Sequence, residues 1–122
     1  IGLSTEVLVL PQRQPVLVAK QISTIDLMSE GRVRLGVGVG WQESDYDALE
    51  EDFTNRGRRM DEAIALLRSY WSDEQIDFDG EYYSSTAMAM EPKPIFPPVK
   101  SLKTDAWRWL DDVNFSWIPA RF

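Results

Sequence analysis

Three glycines at alternate positions, Gly36, Gly38 and Gly40, run straight into Trp41 in the stretch GRVRLGVGVGWQES, residues 31–44. A strand loses stability when it gives up side chains, so repeated glycine there marks a close approach by something else. Two readings stand for what approaches. One is a neighbouring helix or strand of the same chain. The other is a flat or bulky ligand over the carboxyl end of a parallel strand, where the active sites of β/α barrels collect. The dinucleotide-binding fingerprint is rejected, because Trp41 and Glu43 stand where its third glycine would fall. A phosphate loop is rejected too, for want of its Gly-Lys-Ser/Thr ending. Arg13, between a strand pattern and a helix pattern, can clamp a carboxylate or phosphate, or remain a solvated or salt-bridged cation. Trp41 can stack on a flat ring or cap the edge of the sheet. Glu43, Asp45 and Asp47 have the look of a hard-cation cluster but lack the glycine and distant glutamate of a calcium loop. They are read as acidic residues at a helix start, where they complement the dipole, and no metal site is expected.

Composition narrows the chemistry further. The 122 residues suit one domain with a single core. There is no histidine, so imidazole acid–base chemistry and histidine triads are excluded, and no catalytic acid or base can be assigned. There is no cysteine, which removes disulfides and thiolate metal sites. A formal net charge of −7 argues against a nucleic-acid partner. No apolar run approaches a membrane span and no signal-peptide pattern opens the chain, which leaves the cytoplasm as the default location.

The elements that must position these residues follow from local pattern. Val7–Leu10 is an apolar run without polar alternation, as expected of a parallel strand covered on both faces. Pro15 suits the first position of a helix, and Val18, Ile22 and Ile25, flanked by Leu17 and Met28, recur at helical spacing. Gly31 is the natural left-handed stop. Val33–Val39 returns to extended character. Glu6 to Gly38 therefore reads as strand, helix, strand: a βαβ unit with parallel strands and a right-handed crossover. A second helical stripe follows at Met60, Ile64, Leu67 and Trp71, read as core packing, with Asn55–Gly57 a candidate break before it. Asp79-Gly80 between aromatic residues signals a hairpin. The four prolines from Pro92 to Pro98 predict an extended connector. The tail holds three of the five tryptophans, and Trp107, Leu110 and Val113 fall roughly on one helical face.

Together these motifs resemble the luciferase-like monooxygenase family. They appear as STEVLVLPQRQP, AKQISTIDLMSEGR, GVGVGW, RGRRMDEAIALLRSYW and FDGEYYSS…PKPIFPP, in the family's order, from about Thr5 to Pro98. The resemblance implies a flavin- or deazaflavin-dependent oxidoreductase on a TIM-type (β/α)8 barrel. Val7–Leu10 would be its third strand and Val33–Val39 its fourth. The residues implied at the cofactor are Gly38, Gly40, Trp41, Ser44 and Arg13, with Gln42 close by. The glutamate usual after Gly-Trp is here Asp45, followed by Tyr46. The family places two strand–helix units before Thr5 and four strands after Pro98. The glycine pair expected after PPVK does not occur.

The expected fold is accordingly α/β, a partial TIM-type barrel with a hairpin insertion. Residues 1–100 form the barrel fragment and residues 101–122 a divergent, partly helical, Trp-rich tail. The expected function is that of a truncated luciferase-like monooxygenase or oxidoreductase that lacks full activity alone. The alternative is an active enzyme using FMN or a deazaflavin and completed by oligomerisation. FMN or deazaflavin is the implied cofactor, the alternative being that this chain binds none. Open sheet edges invite pairing and the tail offers apolar surface, so a homo-oligomer is expected.

Overall fold

The structure, a computed structural model, describes residues 1–88. Strand β1 (Leu3–Val9) leads through a short 3-10 turn, Leu10–Gln12, into helix α1 (Pro15–Met28). Strand β2 (Val33–Gly38) follows, then the short helix α2 (Glu43–Ala48), a second 3-10 turn at Phe53–Asn55 and the long helix α3 (Arg56–Ser72). Strands β3 (Gln75–Asp79) and β4 (Ser84–Met88) close the described region as an antiparallel hairpin. The architecture is mixed α/β. The expected connector at Pro92–Pro98 and the Trp-rich tail lie outside the described residues.

The βαβ unit is as the sequence pattern predicts: β1 and β2 are parallel, joined by α1. Its first strand is displaced from the expectation, running Leu3–Val9 rather than Val7–Leu10, while Leu10 enters the 3-10 turn with its side chain fully buried. Nor is β1 covered on both faces, since Val7 and Leu3 stay exposed. The register shifts between Thr5 and Leu8, which puts one extra residue on β1, a β-bulge. At the bulge a side chain replaces the ladder. The Thr5 hydroxyl accepts from the Gly36 N–H at 2.8 Å and donates to the Gly36 carbonyl at 3.0 Å.

Helix α1 begins at Pro15 as predicted, and the Gln14 side chain caps it by accepting from the Leu17 N–H at 2.7 Å. Its end is a Schellman motif: Gly31 N–H donates to the Asp26 carbonyl, and Glu30 N–H donates to the Leu27 carbonyl. Both Glu30 and Gly31 take positive φ, at 57° and 78°, so the left-handed stop spans two residues rather than Gly31 alone. The Asp26 side chain is buried and accepts from the Val33 N–H at 3.2 Å, which ties the end of α1 to the start of β2.

The core gathers Leu10, Val18, Ala19, Ile22, Leu35 and Val37 against Met60, Ile64, Leu67 and Trp71 of α3. The expected stripe of α3 is buried throughout. Trp71 Nε1–H also donates to the Ala19 carbonyl at 3.2 Å, a buried bond between α3 and α1. On α1 the pattern holds only in part. Val18 and Ile22 are buried, but Leu17, Ile25 and Met28 are 56%, 45% and 80% exposed. The buried face of α1 is instead Val18, Ala19, Ile22, Ser23 and Asp26, so the helix carries a second apolar strip beside the one it buries.

Candidate functional site

Both parallel strands end on the same side of the sheet, and the loops that follow carry the residues singled out from sequence. Gly38 is the last residue of β2, buried and paired with Val9 at the end of β1. Gly40 lies two residues further on at φ +70°, a conformation that side chains rarely take. A Cβ at Gly40 would stand 2.9 Å from Val9 Cγ1 and 3.7 Å from the Tyr46 ring. At this position the close neighbour is the chain's own Val9.

Trp41 follows with its indole 70% exposed. Gln42 and Ser44 are exposed at the start of α2, and Gln42 Nε2 donates to Ser44 Oγ at 3.1 Å. Glu43 and Asp45 occupy the first turn of α2. Among the described residues no acidic cluster able to hold a metal ion forms.

Arg13 caps the 3-10 turn, its N–H donating to the Leu10 carbonyl at 2.9 Å, and its side chain is exposed. It lines an open groove of about 500 Å³ along α1 and β1, with Thr5, Leu8, Ile22 and Ile25 among the other walls. None of Gly38, Gly40, Trp41 and Ser44 lines that groove. The structure thus groups the glycines with Val9 and the tryptophan with the start of α2, and sets Arg13 on the groove.

Two residues not singled out as binding candidates hold these loops in place. Tyr46 on α2 is fully buried, donates to the Val39 carbonyl at 2.5 Å and meets Phe53 edge-on at 5.4 Å. Burial pushes its phenol up to about 12, so it stays a neutral donor. Arg59 in the first turns of α3 is 5% exposed. Its Nη2 donates to the Pro11 carbonyl, and its Nη1 pairs with Glu51 Oε2 at 2.5 Å. The sequence signal for Tyr46 was an aromatic amid acidic neighbours. For Arg59, one of three arginines in RGRR, there was none.

The hairpin is fastened in a similar way. Glu62 on α3 accepts from the backbone N–H groups of Glu81, Tyr82 and Tyr83, at 3.0, 2.9 and 2.6 Å. Gly80 allows this, since a Cβ there would fall 2.0 Å from Glu62 Oε1. Tyr70 on α3 shares a 2.5 Å hydrogen bond with Ser85 on β4.

A family described as luciferase-like monooxygenase matches residues 1–101. The FMNH2-dependent dimethylsulfone monooxygenase of Pseudomonas fluorescens is 35% identical over 88 residues, covering 70% of this chain and 24% of that protein. Monooxygenase RslO1 from Streptomyces bottropensis superposes with a TM-score of 0.77 at 22% identity, over 80% of this chain and 30% of that one. An F420-dependent secondary alcohol dehydrogenase, solved with an F420–acetone adduct, superposes with a TM-score of 0.69 at 26% identity, over 80% of this chain and 31% of that one. The chain spans about a quarter to two fifths of the length of the curated relatives it matches.

Proposed function

The chain belongs to the luciferase-like monooxygenase family, and on that footing we propose that it supplies one wall of a flavin or deazaflavin site in a partial TIM-type barrel. The observation that carries this reading is that two parallel strands end side by side, at Val9 and Gly38, next to an exposed indole. Gly38 and Gly40 add no side chain at the strand end, the space beside Gly40 being taken by Val9, while Trp41 offers a ring face, Ser44 a hydroxyl and Arg13 a cation for an anionic tail. When bound, the flavin supplies the redox chemistry, and the protein orients it. These groups suit a flat ring better than they suit proton transfer. None of them is a general acid or base near neutral pH.

In this reading the chain alone is not a full catalyst. A barrel site draws on several strand ends, and the described residues contribute two. FMN titration of the 122-residue chain, read by flavin fluorescence, tests the proposal. Trp41→Ala should weaken binding about tenfold, a stacking contribution of about 1–1.5 kcal/mol, while leaving stability within about 0.5 kcal/mol. Absence of binding by the parent chain, or equal binding by the variant, would sink the reading.

A second reading, an enzyme completed by association of copies, is favoured by one observation. Among the described residues β1 and β2 pair only with each other, and Leu17, Ile25 and Met28 lie exposed on the adjoining helix. Gel filtration separates the two: a strict monomer that turns over no substrate supports the first, and an assembly with flavin-dependent activity supports the second.

A further inference from the structure

An arginine that is 5% exposed must be held by good partners or it destabilises the fold. Besides an interaction with Tyr83 of the hairpin, Arg59 has two partners that belong to the loops around the candidate site. The Pro11 carbonyl lies in the 3-10 turn between β1 and α1, and Glu51 lies in the segment between α2 and α3. The guanidinium is planar and forked, so it holds both at fixed angles, where an ammonium is a compact point charge on a flexible stem. Pro11 has no N–H, and its carbonyl sits two residues before Arg13. Fixing that carbonyl fixes the turn whose last hydrogen bond runs from Arg13 N–H to Leu10.

We infer that Arg59 is a positioning residue for the candidate site: with Glu51 behind it, it holds the Pro11 turn and so sets where Arg13 is presented to an anionic ligand. The inference deepens the flavin-wall reading and rests on it for the identity of that ligand. The holding of the loop itself rests on the two contacts alone.

Amide hydrogen exchange of the full chain measures the loop directly. Arg13 N–H, bonded to Leu10, and Leu17 N–H, bonded to Gln14, report on the turn. Gly31 N–H, bonded to Asp26, and Asp73 N–H, bonded to Ser69, report on distant parts. Arg59→Met should speed exchange at Arg13 and Leu17 about tenfold and leave Gly31 and Asp73 within about twofold. If Arg59→Met does not fold, Arg59→Lys is judged by the same criterion. Equal acceleration at all four amides, or none at Arg13, overturns the inference.

FMN titrations of Arg13→Ala, Arg59→Met and the double variant complete the test. Each single change should weaken binding, and the double variant should be no weaker than the worse single one. Additive losses overturn the positioning role. If the parent chain binds no FMN, the flavin-wall reading falls, and the exchange data still decide whether Arg59 holds the loop.

Discussion

Alanine in place of Gly40 meets two separate obstacles, and their sizes can be worked from the geometry. The first is backbone conformation: at φ +70° an L-residue with a Cβ costs about 1–2 kcal/mol. The second is contact, because the new Cβ would sit 2.9 Å from Val9 Cγ1. Val9 is β-branched and stiff about χ1, so its methyl group cannot simply swing aside. Relief requires a shift of strand or turn, costing about 1 kcal/mol or more. The sum, about 2–3 kcal/mol, should lower the melting temperature by roughly 8–20 °C. A double-mutant cycle separates the parts. In a Val9→Ala background the contact is gone, and Gly40→Ala should cost only the backbone part, leaving a coupling of about 1 kcal/mol. Urea unfolding followed by circular dichroism gives each value from the midpoint at constant slope. An equal cost in both backgrounds would refute Val9 as the obstacle, and a cost below about 0.5 kcal/mol in the parent would refute the whole argument.

Gly80→Ala should force the Glu62 carboxylate off three backbone N–H groups, so Gly80→Ala and Glu62→Ala should each cost about 2 kcal/mol. The double variant should cost little more than either, as read by thermal unfolding, and full additivity would separate the two residues. Tyr46→Phe should cost about 1 kcal/mol near neutral pH through the lost bond to the Val39 carbonyl. Because burial raises the Tyr46 phenol from 10.0 to about 12, its neutral form favours the fold fully below pH 10, and that contribution drains away as pH rises toward 12. Stability measured across that window should fall less steeply in Tyr46→Phe than in the parent, and identical slopes would contradict the burial argument.

The βαβ unit was legible because its punctuation is local. Pro15 can start a helix, Gly31 can end one, and the apolar runs between them have the right periods. The long stripe of α3 was legible for the same reason. The exposure of Leu17, Ile25 and Met28 was not, because periodicity marks a residue as apolar without saying what lies opposite it. Of the candidate site, sequence supplied the glycines, Trp41 and Arg13 but not their supports. Arg59, Asp26 and Glu62 look like solvated charges in a string of letters. Their partners are a carbonyl in another loop, the first N–H of a later strand and three N–H groups of a hairpin turn, none of which has a sequence signature. The bulge at Thr5 escaped for a related cause. A threonine in a strand reads as ordinary, and only the paired register shows its hydroxyl standing in for two ladder bonds.

That bulge also bears on selectivity of assembly. Among the described residues the outer edge of β1 has no strand beside it, and a straight, regular edge would accept almost any extended segment. An extra residue between Thr5 and Leu8 bends the strand and tightens its twist, so its outward N–H and carbonyl groups fall out of even step. A generic peptide laid along it would match the first half or the second, not both. Among the described residues, the bulge at Thr5 therefore gives the unpaired border of β1 a kinked contour, which a straight strand fits less well than one that bends with it.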